Sequence, residues 1–95
     1  MKERRFEWDA RKVASNFRKH RVTFEEAKTV WDDPDRLEEY DDQHSIIEDR
    51  WLVIGVSVRS RLLSIVYTKR NETTIRIISA RRANQAETFR YTGHG

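Results

Sequence analysis

Hydrophobic positions along the chain change period twice. After the extended stretch Phe6-Glu7-Trp8, Ala10, Val13, Ala14 and Phe17 recur at i, i+3, i+4 and i+7. That spacing puts apolar side chains on one stripe of an α-helix. Asp9 stands ahead of the stripe as an N-cap, and Arg11, Lys12, Ser15, Arg18 and Lys19 fall on its other sides. A second helix is expected from Thr23, with Glu26 three residues on as a capping box and Phe24, Ala27, Val30 and Trp31 as the inner face. Asp32-Asp33-Pro34 ends it, because the residue before proline is pushed out of helical geometry.

Residues 35–50 are polar and acidic, with a short strand expected around Leu37 to Tyr40. From Arg50 the period becomes two: Leu52, Ile54, Val56 and Val58 alternate with Trp51, Val53, Gly55 and Ser57. Arg59-Ser60 is a tight connection without the glycine or asparagine of a strong hairpin signal. Leu62, Leu63, Ile65, Val66 and Tyr67 are apolar on both faces, which predicts a central strand, and Thr74 to Ser79 makes the last one. Asn84 with Glu87 is a further capping box, opening a short helix that holds Phe89 and Tyr91. The order is β-α-α-β-β-β-β-α, and strands joined in sequence by tight turns predict an antiparallel meander. Helices stacked on one face of it complete an α+β fold, a single domain over residues 1–95.

Composition narrows the class. Leu, Ile, Val and Phe make up 22 of 95 residues, enough for one modest core and little more. No run is long and apolar enough for a membrane span. Met1-Lys2-Glu3-Arg4-Arg5 is followed by no apolar stretch, so no secretory leader is read and a cytoplasmic protein is expected. The absence of cysteine excludes disulfides and thiolate zinc sites.

The net charge of +3 conceals an asymmetry. Residues 1–21 carry +5 and residues 51–95 carry +6, while residues 32–50 carry −7. Two readings follow. The charges are ordinary solvated faces, or a basic surface meets a polyanion while the acidic belt faces away or toward a second partner.

Candidate chemistry concentrates in Ile75-Arg76-Ile77-Ile78-Ser79-Ala80-Arg81-Arg82. If Ile75 and Ile77 face the helices, Arg76 faces the open side, with Arg81 and Arg82 just past the strand end. Grouped guanidinium ions suit a phosphate; the alternative is that they pair with carboxylates of the acidic belt. His20, at the end of the first helix, and His44, in the acidic loop, are candidate acids or bases, with a helix cap and a plain loop residue as the alternatives. His94 lies in a tail expected to fray. Trp31 is expected in the core, whereas Trp8 and Trp51 are half-buried edge residues or platforms for a base. Tyr67 and Tyr91 offer hydroxyls to a phosphate unless packing claims them. The histidines have no metal-ligand spacing, and no metal or cofactor is expected.

Several segments together resemble the BrnT toxins. They are Phe6-Glu7-Trp8-Asp9, Asn16 with Lys19-His20, Val22-Thr23-Phe24-Glu25-Glu26-Ala27, Asp32-Asp33-Pro34, His44, Arg50-Trp51-Leu52-Val53-Ile54-Gly55, Arg61-Leu62-Leu63 and Val66-Tyr67-Thr68. Most specific is Ile75-Arg76-Ile77-Ile78-Ser79-Ala80-Arg81-Arg82-Ala83, with Glu87 and Tyr91 beyond it. The resemblance covers nearly the whole chain. It implies the toxin of a type II toxin–antitoxin pair with a RelE-like fold, an RNA-cleaving enzyme that shuts down translation. Its implied partner is a BrnA-type antitoxin that binds DNA, so the toxin would meet DNA only through it. Two departures stand out. Arg21 replaces the glycine usual after Lys-His, which would take a left-handed conformation at the helix end, and Thr88 stands where the family often has arginine.

Metal-free RNA cleavage needs a base for the 2′-hydroxyl, cations for the developing charge and an acid for the leaving oxygen. Arg76 and Arg81 are the expected cations, with Lys19, Arg82 and Trp51 as further RNA contacts, and His44, His20 and Tyr67 are the expected proton-transfer groups. The rival expectation is a non-catalytic RNA-binding or protein-interaction module of the same fold.

Overall fold

The computed structural model describes residues 4–93, so the expectation for His94 lies outside the described residues. Strand β1 (Arg5–Trp8) leads through a 3-10 turn (Ala10–Lys12) into helix α1 (Val13–His20). Helix α2 (Phe24–Lys28) tightens into a second 3-10 turn (Thr29–Asp32). Then come β2 (Leu37–Tyr40), a 3-10 turn (Asp42–His44), β3 (Trp51–Val56), β4 (Leu62–Lys69), β5 (Thr74–Arg82) and helix α3 (Gln85–Gly93). This is the element order that the periodicities predict.

The topology departs from the expected meander in one pairing. β2, β3, β4 and β5 are antiparallel neighbours, but β1 joins β5 in parallel, giving a mixed sheet in the order β1-β5-β4-β3-β2. Two helices rather than a hairpin follow β1, so nothing local forces an antiparallel partner. Its register is fixed by packing: Phe6 lies edge-on to Trp31, with ring centroids 5.1 Å apart, and Trp8 lies 5.7 Å from Phe24.

Alternation along the strands defines two faces. Val53, Leu63, Ile65, Tyr67, Ile75, Ile77 and Ala80 point to one face, where Phe24, Ala27, Val30 and Trp31 of α2 and its turn close the core. Gly55 makes that approach possible, because a Cβ there would sit 2.7 Å from Val30 Cγ1. The expectation of helices on one face is corrected by α3, which packs on the other. Its Glu87 is reached by Ser64 and Arg81, both pointing away from the core just described.

The apolar stripe of α1 is not buried either. Val13 and Phe17 remain 40% and 39% exposed, and the residue of α1 that is buried is Asn16. The helix stands against the edge of β5 beyond the last residue that β1 pairs, Ile77. There Asn16 Nδ2 donates to the carbonyls of Ala80 (2.9 Å) and Val22 (3.0 Å), and Ala80 N–H donates to Asn16 Oδ1 (3.2 Å). One side-chain amide thus replaces a missing neighbouring strand.

Opposite that edge, β4 and β5 slip register: Tyr67 pairs with Ile77 but Val66 pairs with Ser79, leaving Ile78 as a bulge. Arg76 and Arg81 are five residues apart and would lie on opposite faces of a regular strand. The extra residue returns Arg81 to the face of Arg76.

Polar anchors complete the frame. Thr23 Oγ1 accepts from Glu26 N–H (3.0 Å), as a capping residue should, but the Glu26 carboxylate does not reach back. It is buried and accepts from Arg61 Nε (2.9 Å) and Ser57 Oγ (2.6 Å). Arg61, then burial's opposing effect, then Ser57 set the balance that holds this carboxyl below its ordinary value. The β3–β4 connection is a three-residue loop with Ser60 left-handed at φ 60°, the bulged hairpin open to sequences without Asn-Gly.

These anchors can be tested by mutation. Asn16→Ala leaves both buried backbone groups of Ala80 unmet and lowers unfolding free energy by roughly 2–4 kcal/mol; a urea midpoint unchanged from wild type would refute the role of Asn16. Arg21, in place of the usual glycine, is left-handed at φ 58°, a conformation costing an L-residue about 1 kcal/mol or more. Arg21→Gly should raise Tm by about 4–8 °C per kcal/mol gained, and a lower Tm would mean that the Arg21 guanidinium over the Phe17 ring, at 5.5 Å, outweighs the strain.

Candidate active site

On the face away from α1 and α2, Leu52, Val66 and Ile78 floor a groove of about 300 Å³. Asp41, His44, Arg50, Ser79, Arg81 and Glu87 form its walls. They come from three places that the sheet brings together: the loop before β3, the bulged end of β5, and the first turn of α3.

The loop is built to present His44 and Arg50 together. Asp41 and His44 are three residues apart across one 3-10 turn, so their side chains lie on one side of it. His44 Nδ1 and Asp41 Oδ2 are 2.8 Å apart. Ser45 closes the base: its hydroxyl donates to Asp41 O (2.5 Å) and accepts from Arg50 N–H (2.9 Å). Asp49 is tied at both ends, with its carboxylate accepting from Tyr40 OH (2.7 Å) and its carbonyl from Thr68 Oγ1 (2.6 Å). The nearest carboxylate oxygen to the Arg50 guanidinium, on Glu48, is 3.9 Å away, leaving Arg50 loosely engaged. The outer tip holds Ile46 and Ile47, 90% and 98% exposed.

Glu87 organises the opposite wall. The Asn84–Glu87 capping box is fully formed: Glu87 N–H donates to Asn84 Oδ1 (2.8 Å) and Asn84 N–H to Glu87 Oε1 (2.9 Å). The same buried carboxylate accepts from Ser64 Oγ (3.0 Å) and, through both oxygens, from Arg81 Nη1 (2.8 Å) and Nη2 (2.9 Å). Burial alone would raise the Glu87 carboxyl, but Arg81, Asn84 and Ser64 outweigh it and hold it below its ordinary value. Arg81 also donates to Arg82 O (3.2 Å). Of its five N–H donors, two therefore remain for a ligand, on a side chain whose position is already fixed.

The other expected site residues lie elsewhere. Arg76 shares the open face but pairs with Glu7 (2.8 Å), which Arg70 also approaches (3.2 Å). Arg76 and Arg81 do pair with carboxylates, though with Glu7 and Glu87 rather than with the acidic belt. Tyr67 is on the opposite, helix-covered face, fully buried, and donates to Glu38. Burial and that hydrogen bond push its hydroxyl far above the ordinary value, so it is no proton-transfer group for the groove. Trp51 also faces the core side, edge-on to Tyr40 and beneath Lys69 Nζ at 3.9 Å. Arg82 is exposed beyond the groove, while Lys19 and His20 line a separate hollow against α1. Tyr91 donates to Asp33 Oδ2 (2.6 Å), and burial followed by that bond pushes it up to about 12.

Sequence reasoning passed over Asp41, Ser45 and Arg50. The Asp41–His44 spacing was a usable signal, hidden in a run of other acidic residues. The belt itself is largely consumed inside the fold. Asp33 meets Tyr91 and Val56 N–H; Glu38 meets Tyr67 and Arg36; Glu39 meets Arg90. Asp41 and Asp49 are held as described above.

Comparison with known proteins bears on the family and the fold. The family model for the ribonuclease toxin BrnT of type II toxin-antitoxin systems matches residues 8–87. The fold is similar to the crystal structure of the Brucella abortus ribonuclease toxin, BrnT. The TM-score is 0.64 at 19% identity, over 86% of this chain and 99% of that one. At that identity the likeness speaks for the fold. No curated protein sequence matches. Among the described residues, no helix is long and apolar enough to cross a membrane. With most of its length matched by the family model, the chain belongs to the BrnT family: it is a ribonuclease toxin of a type II toxin–antitoxin system, with RNA as substrate and an antitoxin as partner.

Proposed function

We propose that the chain cuts single-stranded RNA in the groove over Leu52, Val66 and Ile78, without a metal ion, by attack of a ribose 2′-hydroxyl on the adjacent phosphate. The observation that carries this reading is one groove shared by the Asp41–His44 pair, Arg50 and Arg81. A carboxylate only accepts hydrogen bonds, so in the neutral ring Nδ1 carries the proton and Nε2 presents its lone pair. Nε2 takes the 2′-hydroxyl proton while the 2′-oxygen bonds to phosphorus. The P–O5′ bond breaks and the leaving oxygen takes a proton from solvent water in the open groove. The products are a 2′,3′-cyclic phosphate and a 5′-hydroxyl.

Arg81 contributes fixed donors to the phosphoryl oxygens, and Arg50 contributes a second, more mobile cation. The apolar floor suits a nucleobase. Arg76 and Arg82 add positive charge beyond the groove. Such cleavage inhibits translation in the cytoplasm. The neutralising partner is a BrnA-type DNA-binding antitoxin, a reading supported by family membership and by the residue pattern over most of the chain.

His44→Ala should reduce cleavage of a long single-stranded RNA in EDTA by about 10²–10⁴-fold, with Arg50→Ala reducing it less. A wild type that binds RNA in a salt-sensitive way but yields no cyclic-phosphate ends would favour the non-catalytic module. Equal cutting by wild type and His44→Ala would remove His44 from the mechanism. Arg81 needs a paired experiment, because Arg81→Ala leaves the buried Glu87 carboxylate without its bidentate partner and lowers stability as well. Arg81→Lys keeps the charge; it should melt above Arg81→Ala yet cut more slowly than wild type, for want of the bidentate fork. Wild-type rates in Arg81→Lys would show that the fork is purely structural.

A further inference from the structure

The groove does not end at β5. Because β1 pairs with β5 only as far as Ile77, Ile78 and Ser79 have no strand beside them on the side away from β4. They line both the groove just described and a second hollow of about 240 Å³ against α1. Lys12, Ser15, Asn16, Lys19 and His20 form the rest of that hollow, and no Asp or Glu lines it.

Its basic side chains differ from the arginines that carboxylates hold in place. Arg11, Arg36, Arg61, Arg70, Arg76, Arg81 and Arg90 are each within 3.4 Å of a carboxylate oxygen. Among the described residues, Lys12, Lys19 and His20 have no such partner, and both lysines are exposed. Lys12 and Lys19, with His20 and Ser79 beside them, therefore line a hollow next to the groove that holds no internal anion. Lysine acts as a point charge that accepts a phosphate in many geometries.

We infer that the α1 hollow is a phosphate subsite, holding the RNA backbone next to the nucleotide whose phosphate lies in the groove. This rests on the groove being the cleavage site. It makes the substrate a single strand that turns over the edge of β5, since a path folding around one strand edge suits a flexible chain and not a duplex. His20 and Lys19 are then binding residues for the neighbouring phosphate, not proton-transfer groups.

Two-nucleotide and six-nucleotide 2′-O-methyl RNAs, which lack the attacking hydroxyl, separate binding from cleavage. By fluorescence anisotropy, Lys19→Glu and Lys12→Glu should each weaken the hexamer about tenfold or more while leaving the dinucleotide within twofold. Each should also flatten the hexamer's salt dependence, by roughly 0.7 in log–log slope for every phosphate that the variant no longer neutralises. Arg59→Glu makes the same charge change at the exposed β3–β4 loop and should leave both affinities unchanged. The subsite is overturned if the lysine variants match Arg59→Glu, or if they weaken dinucleotide and hexamer alike. Cleavage of unmodified RNA by the wild type is scored separately, so failed catalysis and a failed subsite give different results.

Discussion

A β-strand that outruns its neighbour exposes backbone donors and acceptors on one edge, and they must be met or left to water. β5 outruns β1 after Ile77, and the amide of Asn16 meets both groups of Ala80 from a helix. Much else depends on this substitution of a side chain for a strand. It sets α1 against the sheet so that Asn16 rather than Val13 or Phe17 is the buried residue. It lets β5 continue to Arg82 as ordered strand. It also brings the basic side of α1 to the same strand edge that borders the groove.

Much of the fold was legible because helix and strand periods are local. The eight regular elements appear in the predicted order, and α2 buries Phe24, Ala27, Val30 and Trp31 as its stripe required. What was hidden is non-local or depends on a count. The parallel β1–β5 pairing is decided by Phe6 and Trp8 finding Trp31 and Phe24 across the core. The second face needed α3, whose capping box was visible but whose docking was not.

The site was legible in its parts and illegible in its grouping. Arg81 was visible as an arginine near the end of a strand, yet its face depends on the bulge at Ile78, for which the sequence carries no glycine or other marker. Tyr67 lies outside the groove because strand alternation puts it with Ile65 and Leu63 in the core. His44 was visible, but the loop that gathers Asp41 and Arg50 around it is closed by the Asp41 N–H bond to Arg50 O and by the Ser45 hydroxyl. A polar residue with so local a task leaves no periodic trace.

The charge pattern, too, resolves into physical tasks. Glu26 and Glu87 are buried and each fixes an arginine, Arg61 or Arg81, through both carboxylate oxygens. An arginine held this way has already given up its rotamer freedom during folding, so placing its remaining donors against a phosphate costs little further entropy. That is what a reacting centre needs, since the developing charge must find donors already in position. Lys12 and Lys19 lack such anchors and keep their freedom. Mobility is tolerable where the task is to hold a backbone of any sequence, because a point charge does not demand one orientation. The near-neutral total thus includes carboxylates that set arginines in place, while the lysines of the proposed subsite keep their charge for an RNA backbone.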